Sequence, residues 1–137
     1  MKTKITILLA IILVALFQPT FAQEYSGVRK LKAVQAAFKN FVEETPMWSD
    51  WQDCNILVVI NFDKNKINIY SILEQEYSVI TNTKEKKDDQ GGKVLYFDAI
   101  DEEGIRCTIK LRTDNNDRLQ IYVEYTDVSW VYTLKAN

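Results

Sequence analysis

From Trp48 to the C-terminus, apolar and polar residues alternate with a period of two, in short runs separated by turn residues. The runs are roughly Cys54 to Phe62, Lys66 to Leu73, Glu76 to Thr83, Lys93 to Ile100, Gly104 to Arg112, Arg118 to Tyr125 and Val128 to Lys135. Between them lie Asp63-Lys64-Asn65, Glu74-Gln75, Asp101-Glu102-Glu103-Gly104, Asp114-Asn115-Asn116-Asp117 and Thr126-Asp127, residue types that favour tight turns. Connections this short cannot hold crossover helices, so neighbouring strands must pair antiparallel, as a meander. The longest connection, Asn82 to Gly92, carries the charged run Lys84 to Asp89 and reads as a mobile exposed hairpin loop.

The clearest alternation sets Ile105, Cys107, Ile109 and Leu111 against Arg106, Thr108, Lys110 and Arg112. It is matched by Leu119, Ile121, Val123 and Tyr125 against Gln120, Tyr122 and Glu124, so these strands have one wet face. Ile56-Leu57-Val58-Val59-Ile60 is apolar on both faces and calls for a second cover. Gly27 to Glu44 offers one: good helix formers with Val28, Leu31, Gln35, Phe38 and Val42 three and four apart, a Ser26 cap and a Thr45-Pro46 stop favour a helix, with an extended segment around Phe38 to Val42 as the rival reading. The expected fold is therefore mainly β: an antiparallel meander of about seven strands, curled into a bent sheet or small barrel, with one N-terminal helix packed on it. The expected organisation is a signal peptide over residues 1–22, a helical segment over 23–47 and a β domain over 48–137.

The leader is read from Lys2 and Lys4, the apolar stretch Ile5 to Phe17 and the small-residue end Thr20-Phe21-Ala22. As a helix that stretch would rise about 20 Å against a hydrocarbon core of about 30 Å, too short for an anchor. The mature protein is thus expected in the periplasm or outside the cell, with no membrane span after cleavage. The chain of 137 residues is 47% hydrophobic, enough for one packed core and too much for disorder. Its formal net charge of −2 becomes more negative by two when both leader lysines leave, which argues against a nucleic-acid partner. Histidine is absent, so Ser-His, Cys-His and His-metal chemistry are excluded together.

Cys54 and Cys107, the only cysteines, each share parity with inward-facing isoleucines. An oxidising compartment permits a disulfide between them; two separate buried thiols are the alternative. Trp48, Trp51, Trp130 and Tyr132 are the candidate ligand-binding residues, because rings flanked by carboxylates stack on sugars or peptides, although core filling or closure of a barrel end is the commoner role for such rings. Carboxylates at Asp98 and Asp101 would be the pair for a hydrolase that uses no other group. Asp114 to Asp117 lacks the glycine and distal glutamate of a calcium loop. No phosphate loop, nucleophile elbow or Cys-x-x-Cys occurs, so neither a cofactor nor a bound metal is expected.

Several features resemble a group of small secreted proteins of unassigned function from Bacteroidota. These are the leader ending before Gln23, Trp48 and Trp51 before the first strand, and Ile67-Asn68-Ile69-Tyr70-Ser71 leading to Glu76-Tyr77-Ser78-Val79-Ile80. Asp101-Glu102-Glu103-Gly104-Ile105-Arg106-Cys107 and Ile121-Tyr122-Val123-Glu124-Tyr125 continue the likeness. It spans about 48 to 137, implies a β fold and brings no catalytic positions. The expected function is a non-enzymatic, exported β module, monomeric, that binds a partner protein, peptide or small ligand. A carboxylate-only hydrolase and a structural component of the envelope are the alternatives.

Overall fold

The computed structural model describes residues 26–82 and 85–137, so the leader lies outside the described residues. Nine strands follow one another: β1 (Val28–Asn40), β2 (Gln52–Asn61), β3 (Lys66–Tyr70), β4 (Gln75–Asn82), β5 (Lys86–Lys87), β6 (Lys93–Asp101), β7 (Arg106–Thr113), β8 (Leu119–Glu124) and β9 (Val128–Ala136). Every pairing is antiparallel. Because β4 pairs with β6 and β1 with β9, the meander closes into an eight-stranded barrel, with β5 resuming along β6 the ladder that β4 begins. Closure leaves no long unpaired edge for another chain to extend.

The predicted N-terminal helix is not there, and no helix occurs among the described residues. Residues 28–40 form β1, which joins β2 on one side and β9 on the other. Three inward-facing positions explain the misleading spacing. Leu31 and Ala33 are two apart, but a bulge between Ala33 and Gln35 shifts the phase, so the next side chain on the core is Ala36. A strand with one extra residue thus has steps of two and three along its inward face, which blurs the plain alternation that marks a strand. Its lysines, alanines and glutamine are good helix formers, but closing the barrel pairs two ladders at once and overrides local propensity. Among the described residues nothing then covers the outer face of β2, where Leu57 stays exposed and Val59 half-buried.

Inward side chains fill the barrel. Ala33, Val58, Ile69, Ala99, Ile109, Ile121 and Val123 have no accessible surface at all, so no water-sized space reaches them. An eight-stranded barrel is narrow enough for side chains alone to fill it, and this one is so filled at mid-height. Cys54 and Cys107 do face inward, as parity implies, but both are free thiols. β2 and β7 sit four places apart in a ring of eight, on opposite walls, which is further than the roughly 7 Å between α-carbons that a disulfide spans.

Three hairpin turns share one device. Asp88, Asp101 and Asp114 each accept, through Oδ1, the backbone N–H groups two and four residues on, at 2.8–3.0 Å. The residue three places on has positive φ: Gly91 at 79°, Gly104 at 80° and Asp117 at 59°. Such turns end a strand without frustrating any donor. The Asp88 turn is also held to the barrel, since Arg112 Nε donates to Asp88 Oδ2 at 2.5 Å. The turn from Asp88 to Gly92 is therefore tied down.

Candidate functional site

Two concavities collect the candidate residues, one at an end of the barrel and one on its outer wall. The first lies where the β3–β4, β6–β7 and β8–β9 turns converge on the start of β9. Leu73, Tyr77, Tyr125 and Trp130 line it with Glu74, Gln75, Glu76, Asp101, Glu102 and Glu103, around about 340 Å³. Inward parity brings the rings there. Trp130 and Tyr132 share the inner face of β9 with Leu134, and Tyr77 is the inner residue opposite, on β4. Tyr125 and Trp130 stack at a tilt, ring centroids 5.4 Å apart.

Below the rings runs a short polar network. Tyr77 Oη donates to Gln75 Oε1 at 2.6 Å, and Gln75 Nε2 reaches Tyr132 Oη at 3.2 Å and Ser71 Oγ at 3.1 Å. Burial, with the neighbouring ionisable groups, pushes the Tyr77 phenol upward and keeps it a neutral donor. Asp101 stands at the lip. The backbone N–H of Ile105 holds its carboxyl below the usual range against desolvation, aided by the Tyr125 hydroxyl and the N–H of Glu103. It is a fixed negative charge at neutral pH. The Cys107 thiol beneath is pushed up to about 11 by burial, and Cys54 is raised for the same reason, so neither is an activated nucleophile.

The second concavity, about 440 Å³, crosses the outward face of β6, β7, β8 and β9 between the β1–β2 connection and the β5–β6 turn. Its floor carries Val94, Tyr96, Lys110, Arg112, Tyr122, Glu124 and Ser129. Trp48 and Phe41 form one flank. They are fixed by backbone bonds from Ser49 N to Phe38 O and from Phe41 N to Asp127 O, both 2.8 Å. Trp48 meets Tyr122 edge to face, centroids 6.0 Å apart. Lys110 pairs with Glu124, and Arg112 with Asp88, which holds the Asp88 carboxyl below its ordinary range.

The four candidate rings are thus divided. Trp130 lines the mouth and Tyr132 underlies it, Trp48 belongs to the outer wall, and Trp51 is exposed ahead of β2. Asp98 and Asp101 are likewise apart: Asp98 is exposed on the wall, where it accepts from Thr81 Oγ1 at 2.9 Å, while Asp101 is at the mouth. Asp114 spends its oxygens on its own turn and on Arg118 at 3.2 Å. Among the described residues no cluster of three or more carboxylates or thiols is placed to hold a metal ion. Tyr77, Gln75 and Tyr125 at the mouth, and Tyr122 with the two ion pairs on the wall, were missed by motif. The signal for them was parity, which already set Lys110, Arg112, Tyr122 and Glu124 on one face. Compared with protein-family models, with curated proteins and with solved structures, the chain finds no match.

Proposed function

We propose that the protein is an exported, non-enzymatic, monomeric binding module that docks a partner protein by the mouth end of its barrel, against a surface both basic and apolar. The observation that carries this is the make-up of the four connections at that end. Residues 41–51, 71–74, 102–105 and 125–127 contain Glu43, Glu44, Asp50, Glu74, Glu102, Glu103 and Asp127 and not one lysine or arginine. The same connections expose Val42, Met47, Trp51, Ile72, Leu73 and Ile105.

Large apolar side chains held out at one end and rimmed by polar groups mark an interaction surface. The uniform negative charge selects a cationic partner and disfavours an anionic membrane surface. At the centre the pocket has an aromatic floor, the fixed Asp101 carboxylate and no basic lining residue, which suits a lysine or arginine side chain by charge and by contact with the ring faces. Export is supported by the leader pattern, and the filled interior favours recognition at the surface over an enclosed ligand.

Binding of fluorescent peptides that place lysine beside leucine, compared with glutamate-leucine peptides of equal length, tests the reading. The basic peptides should bind, weaken severalfold as salt rises from low to physiological strength, and lose binding to the Glu102→Lys/Glu103→Lys protein. Equal binding of both peptide classes, or indifference to the charge reversal, overturns it.

A further inference from the structure

We infer that the outer-wall groove is a second, independent site and that it binds an uncharged saccharide chain. The groove shares no lining residue with the mouth pocket, and of the four connections at the mouth end only 41–51, through Phe41 and Trp48, borders it. Four rings border it, Phe41 and Trp48 on one flank and Tyr96 and Tyr122 on the floor. Each has a lysine ammonium over one face, Lys39 over Phe41 and Trp48, Lys86 over Tyr96 and Lys110 over Tyr122, so a ligand uses the surfaces those lysines leave open or displaces them. Sugar rings present flat patches of C–H that settle on aromatic surfaces, and hydroxyls around their edges that need both donors and acceptors.

The charged groups supply those donors and acceptors without favouring a charged ligand. Lys39, Lys110 and Arg112 are balanced by Asp88, Asp89 and Glu124 along the same groove. Lys110–Glu124 and Arg112–Asp88 are already paired, so an anionic or cationic ligand would have to compete with an internal partner. Hydroxyl groups can instead use the N–H and oxygen positions that the pairs leave over.

The site is also pre-formed. Val94 and Ser129 at its base are 3% and 2% exposed, the Trp48 flank is pinned to β1 by backbone bonds, and the opposite flank is latched by Arg112 to Asp88. A groove rigid before binding loses little freedom on binding. A peptide is the weaker fit, because main-chain recognition of an extended peptide adds a strand to an open sheet edge, and among the described residues the closed barrel offers only the two-residue edge of β5 beside this wall.

The test is calorimetric titration of the intact mature protein with neutral hexasaccharides: β-1,4-linked glucose, xylose, mannose and N-acetylglucosamine, and α-1,4-linked glucose. Saturable binding to at least one is expected, weakened at least tenfold by Trp48→Ala and by Tyr122→Ala but preserved by Tyr122→Phe, with far-ultraviolet circular dichroism unchanged in all three. The Glu102→Lys/Glu103→Lys protein should bind the sugar normally, which separates this site from the mouth. Failure of all five sugars to bind overturns the inference. So does stronger binding of polygalacturonate than of any neutral sugar, or binding that Trp48→Ala leaves untouched.

Discussion

Tyr125 donates its phenolic hydrogen to Asp101 Oδ2 at 2.8 Å, joining the residue that follows β8 to the last residue of β6 across the barrel mouth. Asp101 Oδ1 is occupied at the same time by the N–H groups of Glu103 and Ile105, both 2.9 Å away. One carboxylate therefore ends a strand, closes a turn and fixes a ring of the pocket.

The pH consequence follows from the direction of its shift. A carboxyl held low in the folded chain stabilises fully above its unfolded value, near 4, and the contribution fades as pH falls toward the folded value. Urea midpoints should fall on acidification below about pH 4.5. Asp101→Asn should flatten part of that fall, whereas a wild-type midpoint that is level from pH 6 to 3 would contradict it. Tyr125→Phe, which removes one bond to a charged acceptor, should cost about 1.5 kcal/mol at neutral pH.

Cys107 titrates in the opposite sense. Its folded value of about 11 lies above the free-thiol value of 9.0, because burial disfavours the thiolate. The associated stability is complete below pH 9.0 and is lost as pH climbs through about 11. Native protein at pH 8 should alkylate Cys54 faster than Cys107, and mass spectrometry of the modified peptides reads the order. Faster modification of Cys107 would refute its burial.

Asp117 occupies, at φ 59°, the position that glycine fills in the two sister turns. A side chain there carries strain that glycine lacks. Asp117→Gly should raise thermal stability by up to about 1 kcal/mol, and Gly104→Asp should lower it by a similar amount. Opposite signs in differential scanning calorimetry would show that side-chain bonding, not backbone strain, governs these turns.

The interior tolerates no loss of volume. Ile109 and Ile121 have no exposed surface, and shortening either to alanine should cost about 2–5 kcal/mol in denaturant titration. A proline at Ala36, which pairs with Gln52 on one side and Tyr132 on the other, should prevent cooperative folding altogether.

Most of the strand order was legible. From Cys54 onward, period-two alternation and Asp-rich turns placed each barrel strand within a few residues of its observed limits, since in a filled barrel every inward position must be apolar. β1 was not legible as a strand, because its bulge breaks the period where Val34 intervenes between Ala33 and Gln35. Closure was equally hidden, as no local pattern states that Leu31 will meet Ala136. The candidate rings were found as residues but not as sites. Trp130 and Trp48 differ only in which side of the wall they face, and for Trp48 that depends on how the irregular 41–51 connection folds back.

The β1–β9 seam has a kinetic consequence. It joins residues on the order of a hundred positions apart, so the loop it closes is nearly the length of the folded chain and the search for it is slow. Until β9 is in place, the chain holds up to seven barrel strands as an open curl, with two raw margins ready to stick to other molecules. Only when Val128–Ala136 docks do those margins find each other, so closure waits on that one strand.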